Sequence, residues 1–284
     1  MKRLLQISLL VVFSSFLVGI SSFEALFAPS KQIWVKWTEN DPFSETKISH
    51  NDWSDLLSRY LVEDASGLNR FNYGAVSQED RRKLKRYLAG LESIPISRYR
   101  KEEQLAYWIN LYNALTLDVV LDHYPVKSIL EIDISPGLFG RGPWGKKLIT
   151  VEGEALTLND IEHRILRPIW DDPRIHYAVN CASVGCPNLQ GRAFEAESME
   201  EMLDAAAVEF INSPRAFWRI DDGVAVSSIY AWFQEDFGDD DAGIISHMKR
   251  YANKDLADLL NSVEKIADHD YDWSLNDAAE SGDS

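Results

Sequence analysis

The 284-residue chain has two cysteines, Cys181 and Cys186, both in the segment RIHYAVNCASVGCPNL from Arg174 to Leu189. His176 lies just upstream, Asn180 directly precedes the first cysteine, and Ser183 to Pro187 reads as a turn around Gly185. Three chemistries fit these residue types. The first is a disulfide, favoured by an even cysteine count in an exported chain and worth about 2 kcal/mol for so small a ring. The second is a thiol nucleophile: Cys181 attacks, His176 or His163 takes the proton, and Asn110 or Asn180 orients the substrate or stabilises an oxyanion. The third is a metal held by His163, His176, Cys181 and Cys186, but their spacing matches no common zinc pattern and the paired CxxC knuckle is missing. A buried, inert thiol is the plain alternative to all three.

The elements around these residues decide which chemistry is possible. Ile175, Tyr177 and Val179 alternate as one face of a strand. A strand continuing through Cys181 would send that side chain to the face opposite His176, so the two can pair only if the chain turns at Asn180. His163, on a short helix from Asp160 to Arg167 closed by Pro168, is the freer base. Glu162 beside it should point elsewhere on that helix, toward Arg167 or Arg174.

The longest helix is expected over about 101–123, stopped by Pro125. Its middle, AYWINLYNALTLDVVL, is apolar nearly all round and so belongs at the centre of the fold. Glu103, Asn110 and Asn113 share one side of it. Buried amides must be hydrogen-bonded, so that side faces either loop backbone or a site.

Elsewhere the pattern predicts a helix from Trp53, and another after Ser77 capped by that serine. An irregular loop runs from Ile129 to Gly145. Hairpins are expected at Lys147–Leu158 and Phe217–Val226, and helices at Ser198–Asn212, Ile229–Phe237, Ile244–Ala252 and Leu256–Ile266. His50, His247 and His269 fall in polar stretches that read as exposed. Asp236 reads as either a site carboxylate or a cap. The expected fold is therefore a single α+β domain, several helices around a small sheet with a buried central helix. It would span residues 51–276, after a linker or surface arm over 29–50 and before an acidic tail at 277–284.

Lys2 and Arg3 followed by an apolar run to Ile20 resemble a secretory signal peptide over residues 1–28. Cleavage and release to the periplasm or the medium is the first reading; an uncleaved anchor is the second. Hydrophobic content of 45% is ample for a packed core. The net charge of −16 repels phosphate backbones, so nucleic acid is not an expected partner. The run Asp239–Asp241 lacks the spaced ligands of a calcium loop. No phosphate-cradling glycine loop, GxSxG elbow or HExxH helix occurs, so no cofactor is expected. The expected ligand is a small-molecule or peptide-like compound of the envelope, with membrane contact only through an uncleaved N-terminus.

Five strings, AYWINLYNALTLDVVLDHYPVKSI, LTLNDIEHRILRP, DPRIHYAVNCASVGCPNL, SSIYAWFQEDFG and YDWSLND, together resemble the bacterial, exported branch of the domain of unknown function 547 family. The resemblance runs from about Phe71 to Asn276. It implies that Asn110, Asn113, Glu162, His163, Arg167, Arg174, His176, Asn180, Cys181, Cys186 and Pro187 matter. It implies no activity, because the family's role is unassigned. Two functions stay open: a thiol-dependent hydrolase or acyl transferase, and a non-catalytic, disulfide-stapled binding module.

Overall fold

The computed structural model describes residues 29–137, 141–221 and 223–279. The expected signal segment and residues 280–284 of the expected tail lie outside the described residues. Helix α1 (Asn51–Tyr60) is followed by a hairpin of β1 (Leu61–Glu63) and β2 (Asn69–Phe71), then α2 (Gln78–Glu92) and the long α3 (Lys101–His123). Strands β3 (Ile149–Val151) and β4 (Glu154–Leu156) form a second hairpin. A π-helical stretch (Asp160–Leu166) then runs into α4 (Arg167–Trp170), and α5 (Ile175–Ala178) and α6 (Met199–Ile211) follow. The last third contains β5 (Phe217–Ile220), β6 (Gly223–Ser227), α7 (Ser228–Trp232), α8 (Asp241–Tyr251), α9 (Lys254–Leu260) and β7 (Asp268–Asp270). The fold is α+β, with helices dominating and small sheets at the edges.

Helix α3 is the axis of the molecule. Eighteen of its residues, from Glu103 to Leu121, are buried, so its weak amphipathicity reflects a helix packed on all sides. Buried polar groups near its start are partnered: Gln104 Nε2 donates to the carbonyls of Glu39, Ile96 and Tyr99, and Glu103 accepts from Ile48 N–H. Helix α2 begins as its sequence predicts, with Ser77 Oγ accepting from Asp80 N–H at 3.0 Å. The β3–β4 turn places Glu152 and Gly153 at positive φ (46° and 83°), the geometry of a two-residue type I′ hairpin.

Two hydrophobic cores share this framework. One gathers α1, α2, α3, the β3–β4 hairpin and the π-helix; the other gathers α6, β5, β6 and α8. Strands β5 and β6 pair antiparallel, and β7 adds in parallel to β6. The segment Ile175–Val179 sits on the seam, with Ile175, Ala178 and Val179 in the first core and Tyr177 in the second.

That seam explains a correction. Residues 175–178 are one turn of helix, not the expected strand. Every residue from Ile175 to Asn180 is buried, and a helical turn points successive side chains round the compass, whereas a strand serves only two faces. Other expectations also give way. Residues 229–237 split into α7 and a short 3-10 turn, and the last helix ends at Leu260. His50 and His247 are buried, not exposed. His50 Nδ1 lies 2.6 Å from the Tyr87 hydroxyl and His247 Nε2 lies 2.9 Å from that of Tyr177. Asp240 of the acidic run caps α8 by accepting from Gly243 N–H.

Burial lowers His50, His163 and His247 to about 4. The unfolded chain protonates these rings near pH 6.5 and the folded chain resists until about pH 4. In that window the unfolded state binds more protons, so stability falls as pH falls. Denaturant midpoints measured from pH 7 to 4 should decline steadily. His247→Phe, whose ring would pack among Tyr177, Phe237 and Tyr251, should flatten part of that slope.

Candidate functional site

The cysteine loop has no regular structure of its own, so its peptide groups are held from outside. Asn113 of α3 donates from Nδ2 to Ala178 O at 2.9 Å and accepts Asn180 N–H on Oδ1 at 2.8 Å. Asn180 passes the restraint on: its Nδ2 donates to Pro187 O, and its Oδ1 accepts from Ala182 N–H, both at 2.8 Å. Ala182 is held at φ 62°, an unfavourable conformation for a residue with a Cβ. Asn110 makes a matching pair of bonds to the backbone of Phe194. All three amides are thus engaged with backbone and act on the site by fixing loops.

The C-terminal segment closes the other side. Val184 N–H donates to Ser274 O and Gly185 N–H to Asp272 O, both at 2.8 Å, and Asn276 N–H donates to Ala182 O. Gly185 is needed for this approach, because a Cβ there would lie 2.9 Å from Asp272 N. Arg215 donates to the carbonyls of Val184 and Cys186 and to Asn188 Oδ1, clamping the loop from behind.

Within this frame the two sulfurs lie 2.6 Å apart and are not bonded. Cys186 is buried and Cys181 is partly exposed. Cys186 Sγ accepts from Cys181 N–H at 2.9 Å and from the Tyr271 hydroxyl at 3.1 Å. Ser183 Oγ and the Tyr271 hydroxyl each lie 3.1 Å from Cys181 Sγ. Burial alone would raise Cys186, but the Cys181 thiol, Tyr271 and the Cys181 N–H donate to it and bring it down to about 7. Burial, and then the neighbouring sulfur, push Cys181 well above its ordinary value. Of the two, Cys186 is therefore the more acidic thiol.

The histidines gather in an adjoining cluster. The π-helical turn buries Glu162 and His163 together. His163 Nδ1 accepts a hydrogen bond from Arg167 Nη1 at 3.0 Å, which leaves the ring's own proton on Nε2 and agrees with its lowered pKa. His176 Nε2 lies 2.7 Å from Asp236 Oδ2, and its ring stacks on Phe233 at 4.5 Å. Glu162 Oε1 is 3.9 Å from His163 Nδ1 and 4.0 Å from His176 Nδ1. Arg167, buried, pairs with Asp236 at 2.6 Å and Glu235 at 2.8 Å. Burial would raise Asp236, but His176 and Arg167 together hold it well below the carboxylate range. Tyr112 of α3 joins the two groups: burial raises its phenol, as do Glu162 and both sulfurs.

The structure therefore brings Glu162, His163, Arg167 and His176 together and sets Cys181 and Cys186 beside them. Among the described residues, no histidine nitrogen is hydrogen-bonded to either sulfur. Glu162 pairs with neither arginine expected for it, because the π-helical register turns it toward the histidines. Arg174 stands apart, bonded to Asp172, Glu200 and Asp204. No group of His, Cys, Asp and Glu suited to a metal occurs among the described residues. Tyr271, Ser183, Tyr112 and Arg215 were not singled out by sequence. Tyr271, Ser183 and Tyr112 did have a signal, their place in the strings YDWSLND, DPRIHYAVNCASVGCPNL and AYWINLYNALTLDVVLDHYPVKSI, whereas Arg215 lies in none of them.

Residues 96–211 match the model of the family described as Protein of unknown function, DUF547. The match takes in α3, the π-helix and the cysteine loop, and so every site residue above except those of the last third. No curated protein and no solved structure matches the chain. No described helix is long and apolar enough to cross a membrane.

If Asn113 is the post on which the loop hangs, Asn113→Ala should destabilise the protein by about 2–4 kcal/mol, since it orphans a buried N–H and a buried C=O. Urea titration of the variant against the wild type measures this. A loss below about 1 kcal/mol would mean the loop is held elsewhere.

Proposed function

We propose that the chain is an exported thiol protein, periplasmic or secreted, whose reactive centre is the Cys181–Cys186 pair acting in thiol–disulfide exchange on envelope proteins or peptides. The observation that carries this is the contact of the two sulfurs at 2.6 Å, with the Cys181 backbone N–H donated to the inner one. An acyl transferase or hydrolase needs one thiolate and a base, and a second thiol in contact with the nucleophile adds nothing to that chemistry. Exchange needs both sulfurs, and needs them unequal.

In the oxidised protein a substrate thiolate attacks the outer sulfur, Cys181 Sγ. The new S–S bond forms as the Cys181–Cys186 bond breaks, and Cys186 leaves as thiolate. Its pKa of about 7 makes it the better leaving group. A second substrate thiolate then attacks the mixed disulfide and expels Cys181, which takes up a proton. Two electrons pass from a substrate dithiol to the pair, giving a substrate disulfide. Trp232 and Trp273, partly exposed and stacked 5.5 Å apart beside Tyr271, offer a surface for an apolar peptide segment near the outer sulfur.

The disulfide-stapled module is the second reading, favoured by the same sulfur contact. Reactivity separates the two. Incubated with an oxidised peptide, Cys186→Ser should accumulate a mixed disulfide at Cys181 that mass spectrometry detects, and Cys181→Ser should not. In the reduced wild type one thiol should alkylate with an apparent pKa near 7, unchanged by His163→Gln. A pair that stays closed in excess dithiol, or alkylates only above about pH 9, overturns exchange and leaves the staple.

A further inference from the structure

The arm at residues 29–34 lies along the His163–Asp236 cluster in an extended course. Gln32 N–H donates to His163 O at 3.1 Å and Trp34 N–H to Arg164 O at 2.9 Å. The first of these acceptors is available for a reason found in the sequence. The π-helical register sends Arg167 N–H to Glu162 O, and Pro168 has no N–H to offer, so His163 O lacks a partner from its own helix. The arm's side chains continue the pattern. Lys31 Nζ sits 2.9 Å from both Asp236 Oδ1 and Asp171 Oδ1, and Lys31 N–H donates to Glu235 Oε1 at 3.1 Å. Arg167 Nη1 donates to Pro29 O at 2.8 Å.

The cradle is complete without the arm. Its carbonyls belong to the π-helix, and its carboxylates are set by Arg167, His176 and the turn at Asp171. The arm is held weakly. Its apolar anchors begin at Trp34 and Trp37, which meet edge to face at 6.0 Å, whereas Ile33 is 49% exposed. Residues 29–33 are retained by hydrogen bonds and by ion pairs of a partly exposed lysine, with no buried apolar side chain among them.

We propose that this cradle is a peptide-binding site and that residues 29–34 occupy it in cis. Its ligand in trans is an extended peptide carrying a lysine. Two alternate backbone N–H groups meet the carbonyls of His163 and Arg164, in the manner of a strand added to an exposed edge. The lysine ammonium enters between Asp171 and Asp236. The site borders the Asp236–His176 pair, so a bound peptide lies against the cluster next to the sulfurs. The inference does not depend on thiol–disulfide exchange.

The test uses a fluorescein-labelled peptide, Pro-Ser-Lys-Gln-Ile-Trp, and the same peptide with Glu in place of Lys. The double variant Lys31→Ala/Gln32→Pro removes the arm's ammonium and its donor to His163 O while leaving Trp34 and Trp37 in place. Fluorescence anisotropy should show the lysine peptide binding this variant at least about tenfold tighter than it binds the wild type, whose cradle is filled. The Glu peptide should bind at least about tenfold more weakly than the lysine peptide. Thermal melting confirms that the variant is folded. Equal binding of the two peptides, or no binding to the folded variant at millimolar concentration, overturns the site and makes the arm a structural stitch.

Discussion

The cysteine loop turns through the seam of two cores without helix or sheet to satisfy its backbone, and one carboxamide makes that possible. Asn113 meets Ala178 O with its donor and Asn180 N–H with its acceptor. A leucine there would suit the apolar surroundings of α3, yet it would leave two buried peptide groups unpaired. Once Asn180 is fixed, its own side chain shapes the turn at Ala182 and ties it to Pro187. The two thiols are then delivered to one point from positions four residues apart in between. The sulfur contact is thus a consequence of a helix registered against a loop.

The π-helical turn does comparable work on the other side. A regular α-helix would separate Glu162 and His163 by about a quarter turn. The wider turn brings both inward, toward His176, and displaces the main-chain bonds by one residue. π-helical turns recur at functional sites because they re-aim side chains at the expense of helix hydrogen bonding. Here the displaced acceptor is taken by the arm. Two features that look unrelated in sequence, Pro168 and the polar stretch at 29–34, are joined through one orphaned carbonyl.

Much of this was legible in the sequence where one period dominated. The buried helix at Lys101–His123 was legible from its apolar run and Pro125, and the two later hairpins from their turn residues. The segment at 175–179 was misread because its β-branched and aromatic residues serve two cores at once, and alternation carries no information when every face is buried. Strand β7 and the β1–β2 hairpin are three-residue pieces whose pairing depends on distant chain, which no local pattern reports. His50 and His247 looked exposed because their neighbours in sequence are polar, while their neighbours in space are tyrosines.

The site itself was legible as a set of residues and not as an arrangement. Type and spacing suggested a histidine for the thiol, since the two were close along the chain. In space the histidine nitrogens are otherwise engaged, His163 by Arg167 and His176 by Asp236. The sulfur is served instead by a backbone N–H, a second thiol and the Tyr271 hydroxyl, which comes from 85 residues away. Hydrogen bonds to the charged form lower a pKa as a base or a nearby cation does, and they do so without providing a proton acceptor. That difference favours exchange between sulfurs, where the leaving thiolate must be stable, over acyl transfer, where a base must also return the proton.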